Sequence, residues 1–362
     1  MLSLIQHAAA GLGGLQRQWR ELLLSDSPVA EQPPSRLVEV EDLEPTAGNL
    51  RMLVHVPAGL PRGAPLVVVL HGCTQTAAAY DHGTRWSTLA DQHGFALLYP
   101  EQKRVNHPHC CFGWYEPHDQ ERDQGEALAI RLMIGRVLDE HALDRSRVFI
   151  TGLSAGGAMT SVMLATYPEL FAGGAILAGL PYGSASGARE ALDSMSNTPK
   201  RSPREWGRLV RAASAHRGPW PRISVWHGEA DTTVAPDNAR AIVGQWAALH
   251  GVALAVARES TVDGAATRRV WRDRTGREVI ELYLVPEMGH GVPIRVGQGE
   301  GSGNPGPFIL DAGISSTLRI ARFWGLTRRR PIGARVKDVA SRVAEGLSRL
   351  GRGGAIRRPV AA

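Results

Sequence analysis

Short apolar runs alternate along this chain with longer segments of helical periodicity. The runs at 66–70 and 147–151 lack the polar alternation of a half-exposed strand, and a third run at 279–285 is almost as apolar. Such runs are typical of strands that are buried on both faces of a parallel sheet. Residues 155–166 and 236–249 have the composition and spacing of helices, and we expect a final core helix at 310–324. The order of these elements predicts an α/β fold, with a doubly wound, mainly parallel sheet and helices on both faces.

The pattern changes near both ends of the chain and in one internal stretch. A helical apolar stripe at 1–24 is interrupted by charges, and a second amphipathic stretch lies in the last 30 residues. Ser, Gly, Arg and Pro become frequent at about 181–221, which indicates a small cap insertion over a pocket. We therefore expect an N-terminal amphipathic segment and linker at 1–36, one globular domain at 37–326, and a basic tail at 327–362.

Positive charge is concentrated in the last part of the chain. The 362 residues have a hydrophobic content of 43%, enough for a full core, and a net charge of +6. Residues 328–362 contain ten Arg or Lys and two Asp or Glu, a net charge of +8, which leaves −2 for the rest of the chain. The predicted domain is therefore not basic, and we expect no nucleic-acid partner.

Ser154 lies where the apolar run at 147–151 passes into the predicted helix at 155–166. The stretch Gly152-Leu-Ser-Ala-Gly156 has the Gly-x-Ser-x-Gly pattern of a nucleophile elbow, a strained turn that only small neighbours allow to close. Such a turn exposes the hydroxyl at the edge of a sheet and at the positive end of a helix. The alternative is a glycine-rich turn with an incidental serine. The flanking strand and helix favour a nucleophile.

A carboxylate and an imidazole follow downstream, in the chain order serine, acid, histidine. Asp231 lies in a tight loop after an apolar strand, and His290 follows the run at 279–285 between two glycines. A carboxylate at a strand end can hold an imidazole in one tautomer, and that imidazole can take the serine proton. We therefore predict Ser154, Asp231 and His290 as the catalytic residues, with Asp237 as the alternative acid.

Acyl transfer also requires donors for an oxyanion. In a site of this kind they are backbone N–H groups, one directly after the nucleophile and one in a loop after an early strand. Ala155 supplies the first donor. We assign the second donor to Cys73, in the loop where the run at 66–70 breaks at His71 and Gly72.

Six phrases of the chain are more specific than the serine pattern alone. They are LHGCTQT at 70–76, CFGWYEP at 111–117, TGLSAGGAMT at 151–160, YPELF at 167–171, GPFILDAGISS at 306–316 and IARFWGL at 320–326. Together they resemble the esterase family of polyhydroxybutyrate depolymerases, and the resemblance covers residues from about 37 to 326. Two departures are that no polymer-binding module is evident after this body and that no secretory signal is evident.

The resemblance implies an α/β-hydrolase serine esterase that works through an acyl-enzyme, with no cofactor and no metal. It places Ser154, Asp231 and His290 at the catalytic positions and Cys73 at the oxyanion hole. The expected substrate is a polyhydroxybutyrate-type polyester or its short oligomers. The alternative is a carbohydrate esterase that removes acetyl or feruloyl groups from plant polysaccharide, and a third possibility is a non-catalytic binding protein that kept the hydrolase shell.

The compartment and the tail have two interpretations each. The resemblance implies a secreted, extracellular protein, but the charges at 1–24 fall too late for a secretory signal, so the cytoplasm is the alternative. The basic tail is expected either to touch an anionic membrane or granule surface or to be a solvated extension.

The resemblance also places Cys111 and Trp114 near the site. We therefore hypothesise a Cys73–Cys111 disulfide that fixes the oxyanion loop, with three free thiols as the alternative. Four aromatic residues are candidates for the walls of the substrate pocket: Trp114, Tyr115, Tyr182 and Trp206.

Overall fold

A computed structural model describes residues 35–40, 48–263 and 266–327 of the chain. The N-terminal amphipathic segment, apart from its last two residues, and the basic tail after Thr327 lie outside the described residues. Within the described ranges, no helix is long and apolar enough to cross a bilayer.

The described residues contain one ten-stranded sheet and a two-stranded sheet. The strands are β1 Val38–Glu39, β2 Arg51–His55, β3 Leu66–Leu70, β4 Ala96–Glu101, β5 Val148–Leu153, β6 Gly173–Leu177, β7 Arg222–Gly228, β8 Arg258–Val262, β9 Ala266–Arg272, β10 Glu278–Val285, β11 Val292–Ile294 and β12 Ile309–Asp311. In the large sheet the strand order is β1-β2-β4-β3-β5-β6-β7-β10-β9-β8, and β11 pairs with β12.

The middle of the large sheet is parallel and its two margins are antiparallel. Strands β4, β3, β5, β6, β7 and β10 run in the same direction, whereas β1, β2, β9 and β8 pair antiparallel. The register of β3 against β5 runs from Leu66 opposite Val148 to Leu70 opposite Gly152. The carboxyl ends of the parallel strands therefore meet along one edge of the sheet, where ligand sites of open α/β sheets lie.

Helices cover both faces of this sheet. Strand β3 shows the division, because Leu66, Val68 and Leu70 point into one core while Val67 and Val69 point into the other. The helices are α1 Ala77–Thr84, α2 Trp86–His93, α3 Gly125–Glu140, α4 Ala155–Thr166, α5 Ala188–Ser196, α6 Pro203–Ala213, α7 Asp237–His250 and α8 Ser316–Trp324. Helices α3, α4 and α7 complete the first core, and α1, α2 and α8 complete the second. The predicted doubly wound α/β fold is confirmed.

The segment predicted as a cap contains α5 and α6, between β6 and β7. Helix α6 packs against α7 and has a full capping box at Ser202 and Glu205. A continuous core helix at 310–324 was expected from the sequence, and this expectation is wrong. Residues Ile309–Asp311 form strand β12 instead, and helix α8 begins at Ser316, where the Ser315 side chain caps it.

The turn from β5 into α4 brings backbone atoms unusually close together. A Cβ atom on Gly156 would lie 2.4 Å from the carbonyl oxygen of His71 and 2.6 Å from that of Leu70. A Cβ atom on Gly152 would lie 2.2 Å from the carbonyl oxygen of Gly156. The end of β3, the end of β5 and the first turn of α4 therefore pack backbone against backbone.

This close approach predicts the effect of one added methyl group. Gly156→Ala is expected to lower the free energy of unfolding by about 3 kcal/mol, because neither contacting carbonyl can move without shifting β3. Gly135→Ala is the matched control, since a Cβ there meets nothing within 4 Å and lies inside helix α3. That control is expected to gain about 0.5–1 kcal/mol. Urea unfolding of both variants measures the difference, and equal stabilities would contradict the close approach.

Candidate active site

Ser154 lies at the strained turn that the sequence predicts. Its backbone has φ 55° and ψ −117°, a conformation that residues other than glycine rarely adopt. Two hydrogen bonds hold the turn: the Ser154 N–H donates to the Leu177 carbonyl at 2.9 Å, and the Ala158 N–H donates to the Ser154 carbonyl at 2.8 Å. The residue is partly exposed and lines two neighbouring cavities. Ser154 thus stands at the carboxyl edge of the sheet and at the N-terminus of α4.

Asp231 and His290 come together because they follow the neighbouring parallel strands β7 and β10. The His290 Nδ1–H donates to Asp231 Oδ2 at 2.8 Å. The other carboxylate oxygen accepts from the N–H groups of Thr233 and Val234, each at 2.9 Å. His290 lines the same small cavity as Ser154. The structure therefore brings all three predicted residues to one edge of the sheet.

Asp237, the alternative acid, lies elsewhere. It begins helix α7, is largely exposed and forms an ion pair with Arg240. Its carboxylate therefore serves the first turn of a helix, where a negative charge is favourable.

A second histidine faces the Asp231 carboxylate. The His227 Nε2 lies 2.9 Å from the Val234 carbonyl oxygen and 3.3 Å from Asp231 Oδ2, so one donor serves two acceptors. Burial alone would raise the pKa of Asp231, but the hydrogen bonds from His227 and His290 outweigh it and hold that pKa well below its usual range. In the sequence, the position of His227 in the turn at the end of a strand predicts only a structural role, and its spacing of four residues from Asp231 is the signal for this contact.

The loop after β3 presents one backbone donor to the site. The Gly72 N–H donates to the Gln75 side chain at 2.9 Å, and the Thr74 N–H donates to the His109 carbonyl at 2.6 Å. Between them, the Cys73 N–H has no acceptor in the described part of the chain. Ala155 is the first residue of α4, where N–H groups have no partner within the helix. Cys73, Ala155 and Ser154 line one cavity, so this arrangement can offer two N–H groups to an anion.

A covalent bond and a hydrogen bond fix this loop from outside. Cys73 and Cys111 form a disulfide, which confirms the hypothesised pair, and Cys110 is a free thiol. The hydrogen bond from Thr74 to His109 joins the same two segments. The loop that carries the Cys73 donor is therefore held at two points by the segment before Trp114.

An apolar cleft of about 230 Å³ opens beside Ser154 and Ala155. Trp114 and Tyr115 line it, as the sequence predicted, and their rings pack edge to face with centroids 5.3 Å apart. Helix α5 contributes Ala188, Ala191, Leu192 and Met195 to the lining. Further lining residues are His107, His109, Cys111, Leu180 and Val234.

Tyr182 and Trp206 do not line this cleft, and their prediction as pocket walls is corrected. The Gln245 side chain of α7 accepts from the Tyr182 N–H at 3.1 Å and donates to the Tyr182 and Trp206 carbonyls at 3.0 and 3.2 Å. The Trp206 side chain, on α6, is buried, with 2% exposure. Both residues fasten the insertion to α7, so their aromatic rings serve packing.

A smaller cavity lies on the other side of Ser154. Cys73 and Ser154 border both cavities, while His290, Thr233 and Phe308 border only the smaller one. The Phe308 ring meets the His290 ring edge to face, with centroids 6.0 Å apart. The sequence assigned no role to Phe308, although it belongs to one of the six family phrases. No group of three or more potential metal ligands occurs among the described residues.

Comparison with known proteins defines the class. Residues 51–269 match the family model described as Esterase PHB depolymerase. The chain is 44% identical over 292 residues to poly(3-hydroxyalkanoate) depolymerase C of Paucimonas lemoignei, over 80% of this chain and 70% of that protein. It is 33% identical over 246 residues to feruloyl esterase B of Thermothelomyces thermophilus, over 66% of this chain and 84% of that protein.

A solved structure agrees in fold. The acetyl xylan esterase from Aspergillus awamori superposes with a TM-score of 0.69 at 24% identity, over 80% of this chain and 99% of that chain. The fold and the relatives define an esterase of the α/β-hydrolase class. Within that class, the chain belongs to the PHB depolymerase family of esterases.

The geometry around His290 predicts the effect of one substitution. Asp231→Asn keeps the size of the side chain but removes the acceptor that selects the Nδ1–H tautomer of His290. The turnover number with p-nitrophenyl butyrate is expected to fall by up to about four powers of ten. Asp237→Asn is the control and is expected to leave turnover within about twofold. A larger loss in the control would transfer the role of the acid to Asp237.

The lowered pKa of Asp231 also predicts a dependence of stability on pH. Its ionised form is favoured by folding, so its contribution is fully present above the unfolded pKa of about 3.9 and is lost as the pH falls through the folded value. We therefore expect the wild type to lose more unfolding free energy than Asp231→Asn when the pH is lowered from 6 to 3. Urea unfolding at both pH values measures it. A smaller loss of unfolding free energy in the wild type than in the variant would contradict the lowered pKa of Asp231.

Proposed function

We propose that this esterase cleaves its substrate with Ser154 as the nucleophile, His290 as the general base and Asp231 as the acid that orients it. The main support is a single arrangement. A serine on a strained turn shares a cavity with an imidazole whose Nδ1–H is bound to a buried carboxylate. Because Nδ1 donates to Asp231, the other ring nitrogen, Nε2, is left to take a proton.

The reaction follows from these positions. Ser154 Oγ attacks the ester carbonyl while His290 takes its proton, and the N–H groups of Cys73 and Ala155 stabilise the tetrahedral oxyanion. His290 then gives the proton to the leaving alkoxide, which departs as an alcohol. Water attacks the acyl-enzyme by the same relay and releases the acid. Throughout, Asp231 stabilises the imidazolium and keeps its tautomer.

We propose a poly(3-hydroxyalkanoate)-type polyester, or its short oligomers, as the substrate. The relative at 44% identity bears the name of a depolymerase for that class of polymer. The cleft beside Ser154 agrees with it, because its walls, apart from His107 and His109, are mostly aliphatic or aromatic and suit a short apolar acyl chain. The second candidate is an acetyl or feruloyl ester of a polysaccharide, which the feruloyl esterase relative and the aromatic pair Trp114 and Tyr115 favour.

Product analysis distinguishes the two substrates. The protein is incubated with amorphous polyhydroxybutyrate and, separately, with acetylated or feruloylated xylan, and the released acids are quantified. We expect 3-hydroxybutyrate or its short oligomers to exceed acetate and ferulate by at least about tenfold per mole of enzyme, a difference of about 1.4 kcal/mol in activation free energy. A preference for the polysaccharide esters would establish the second candidate.

The matched control for this experiment is Ser154→Ala. It is expected to abolish release of every acid and labelling by a fluorophosphonate probe, while stability changes by less than about 1 kcal/mol. Ser186→Ala, at an exposed serine, is expected to keep both the release of acid and the labelling by the probe. Persistent labelling of the Ser154 variant would show that the nucleophile is another residue.

Three further proposals rest on the sequence alone. Residues 37–326 form the catalytic domain, with residues 181–221 as its insertion. The protein works outside the cell, with the cytoplasm as the alternative. The basic tail is a solvated extension, with contact to an anionic membrane or granule surface as the alternative.

A further inference from the structure

Phe308 occupies a backbone position that normally requires glycine. The Gly306 N–H donates to the Ile309 carbonyl at 3.1 Å and the Ile309 N–H donates to the Gly306 carbonyl at 2.9 Å, so the two residues between them form a tight turn. Pro307 fixes the first of these, and Phe308 follows with φ 59°. A proline followed by a positive φ is the pattern of a type II turn, in which glycine is the usual second residue. A bulky residue kept in this conformation indicates strain that a function retains.

The turn is held from both sides of the site. The Gln75 side chain donates to the Pro307 carbonyl at 2.8 Å, and the same side chain accepts from the Gly72 N–H in the oxyanion loop. On the other side, the Val292 N–H donates to the Phe308 carbonyl at 2.8 Å, two residues after His290. The position of Phe308 is therefore fixed relative to both the oxyanion loop and the histidine loop.

The mechanism assigns a different part of the substrate to each cavity. His290 must reach the oxygen of the leaving alcohol, so the alcohol portion of the ester lies on the side that His290 borders. That side is the small cavity, which Phe308 and Thr233 also line. The larger cleft, bordered by Ala155, Trp114 and Met195, then accepts the acyl portion.

We infer that Phe308 is the specificity-determining residue for the leaving alcohol, and that its ring packs against a small apolar alcohol portion such as the next hydroxyacyl unit of an aliphatic polyester. This inference rests on the proposed roles of Ser154 and His290. An aromatic ring at 6.0 Å from the imidazole, centroid to centroid, also limits the width of the alcohol site. Because the side chain touches only this side of Ser154, it distinguishes alcohols and leaves the choice of acyl group unchanged.

Two series of simple esters test the inference. One series holds the butyryl group and varies the alcohol from methyl to ethyl, butyl and hexyl; the other holds the ethyl group and varies the acid from acetyl to butyryl and hexanoyl. In Phe308→Ala, we expect the ratio of kcat/KM for butyl to methyl butyrate to change by at least about tenfold, which converts to about 1.4 kcal/mol. The relative values along the acyl series are expected to stay within about twofold. For Leu192→Ala, on the wall of the larger cleft, we expect the relative values along the acyl series to change and the ratio for butyl to methyl butyrate to stay within about twofold.

A second variant separates the ring from the backbone. Phe308→Gly also removes the ring but places glycine where φ is positive, so its thermal midpoint is expected to lie above that of Phe308→Ala, with the same change in alcohol preference. If both variants lower kcat/KM by one common factor in the two series, Phe308 has only a structural role and the inference is overturned. Wild-type protein that neither hydrolyses an ester nor reacts with a fluorophosphonate at Ser154 would instead overturn the proposed function. Normal labelling with unchanged alcohol preference overturns this inference alone.

Discussion

The site depends on one close contact between backbones, where the carboxyl end of β3 lies against the first turn of α4. The separation leaves no room for a Cβ on Gly156, whose position faces the carbonyls of Leu70 and His71. This contact brings the loop after β3, which carries the Cys73 amide, next to the Ala155 amide at the start of α4. Because β3 and β5 are paired in register, the nucleophile and both proposed donors directly follow two neighbouring strands at the centre of the sheet.

A buried acid at the start of α3, on the same side of the sheet as α4, supports this region. The Glu126 carboxylate accepts hydrogen bonds from the Gly113 N–H and the Gln102 side chain, and the latter also donates to the Cys111 carbonyl. Burial, followed by the charge of Asp119, raises the pKa of Glu126 to about 8, and the two hydrogen bonds act in the opposite direction. The segment that carries half of the disulfide and the aromatic wall of the cleft is thus tied to the end of β4 and the start of α3.

The sequence predicted the elements with strong patterns and missed those decided by packing. The apolar runs and the glycine pattern around Ser154 predicted the central strands and the strained turn, because both are local. Tyr182 and Trp206 were misplaced because an aromatic residue gives the same sequence signal in a pocket wall and in a protein core. Only the hydrogen bonds from the Gln245 side chain show that these two residues lie against α7. Phe308 was missed because nothing in a Pro-Phe pair indicates a positive φ. The helix expected at 310–324 was too long because a segment as short as Ile309–Asp311, with two apolar residues, is compatible with either a strand or a helix turn.

The insertion between β6 and β7 is divided into two parts with separate duties. Helix α6 is fastened to α7 through Gln245, whereas α5 presents Ala191, Leu192 and Met195 to the larger cleft. In the described part of the chain, none of the residues hydrogen-bonded to the side chains of Asp231 and His290 belongs to α5. Substitutions on this face of α5 are therefore an evolutionary route to related esterases that accept other acyl groups. The catalytic residues, and with them the reaction, would stay the same.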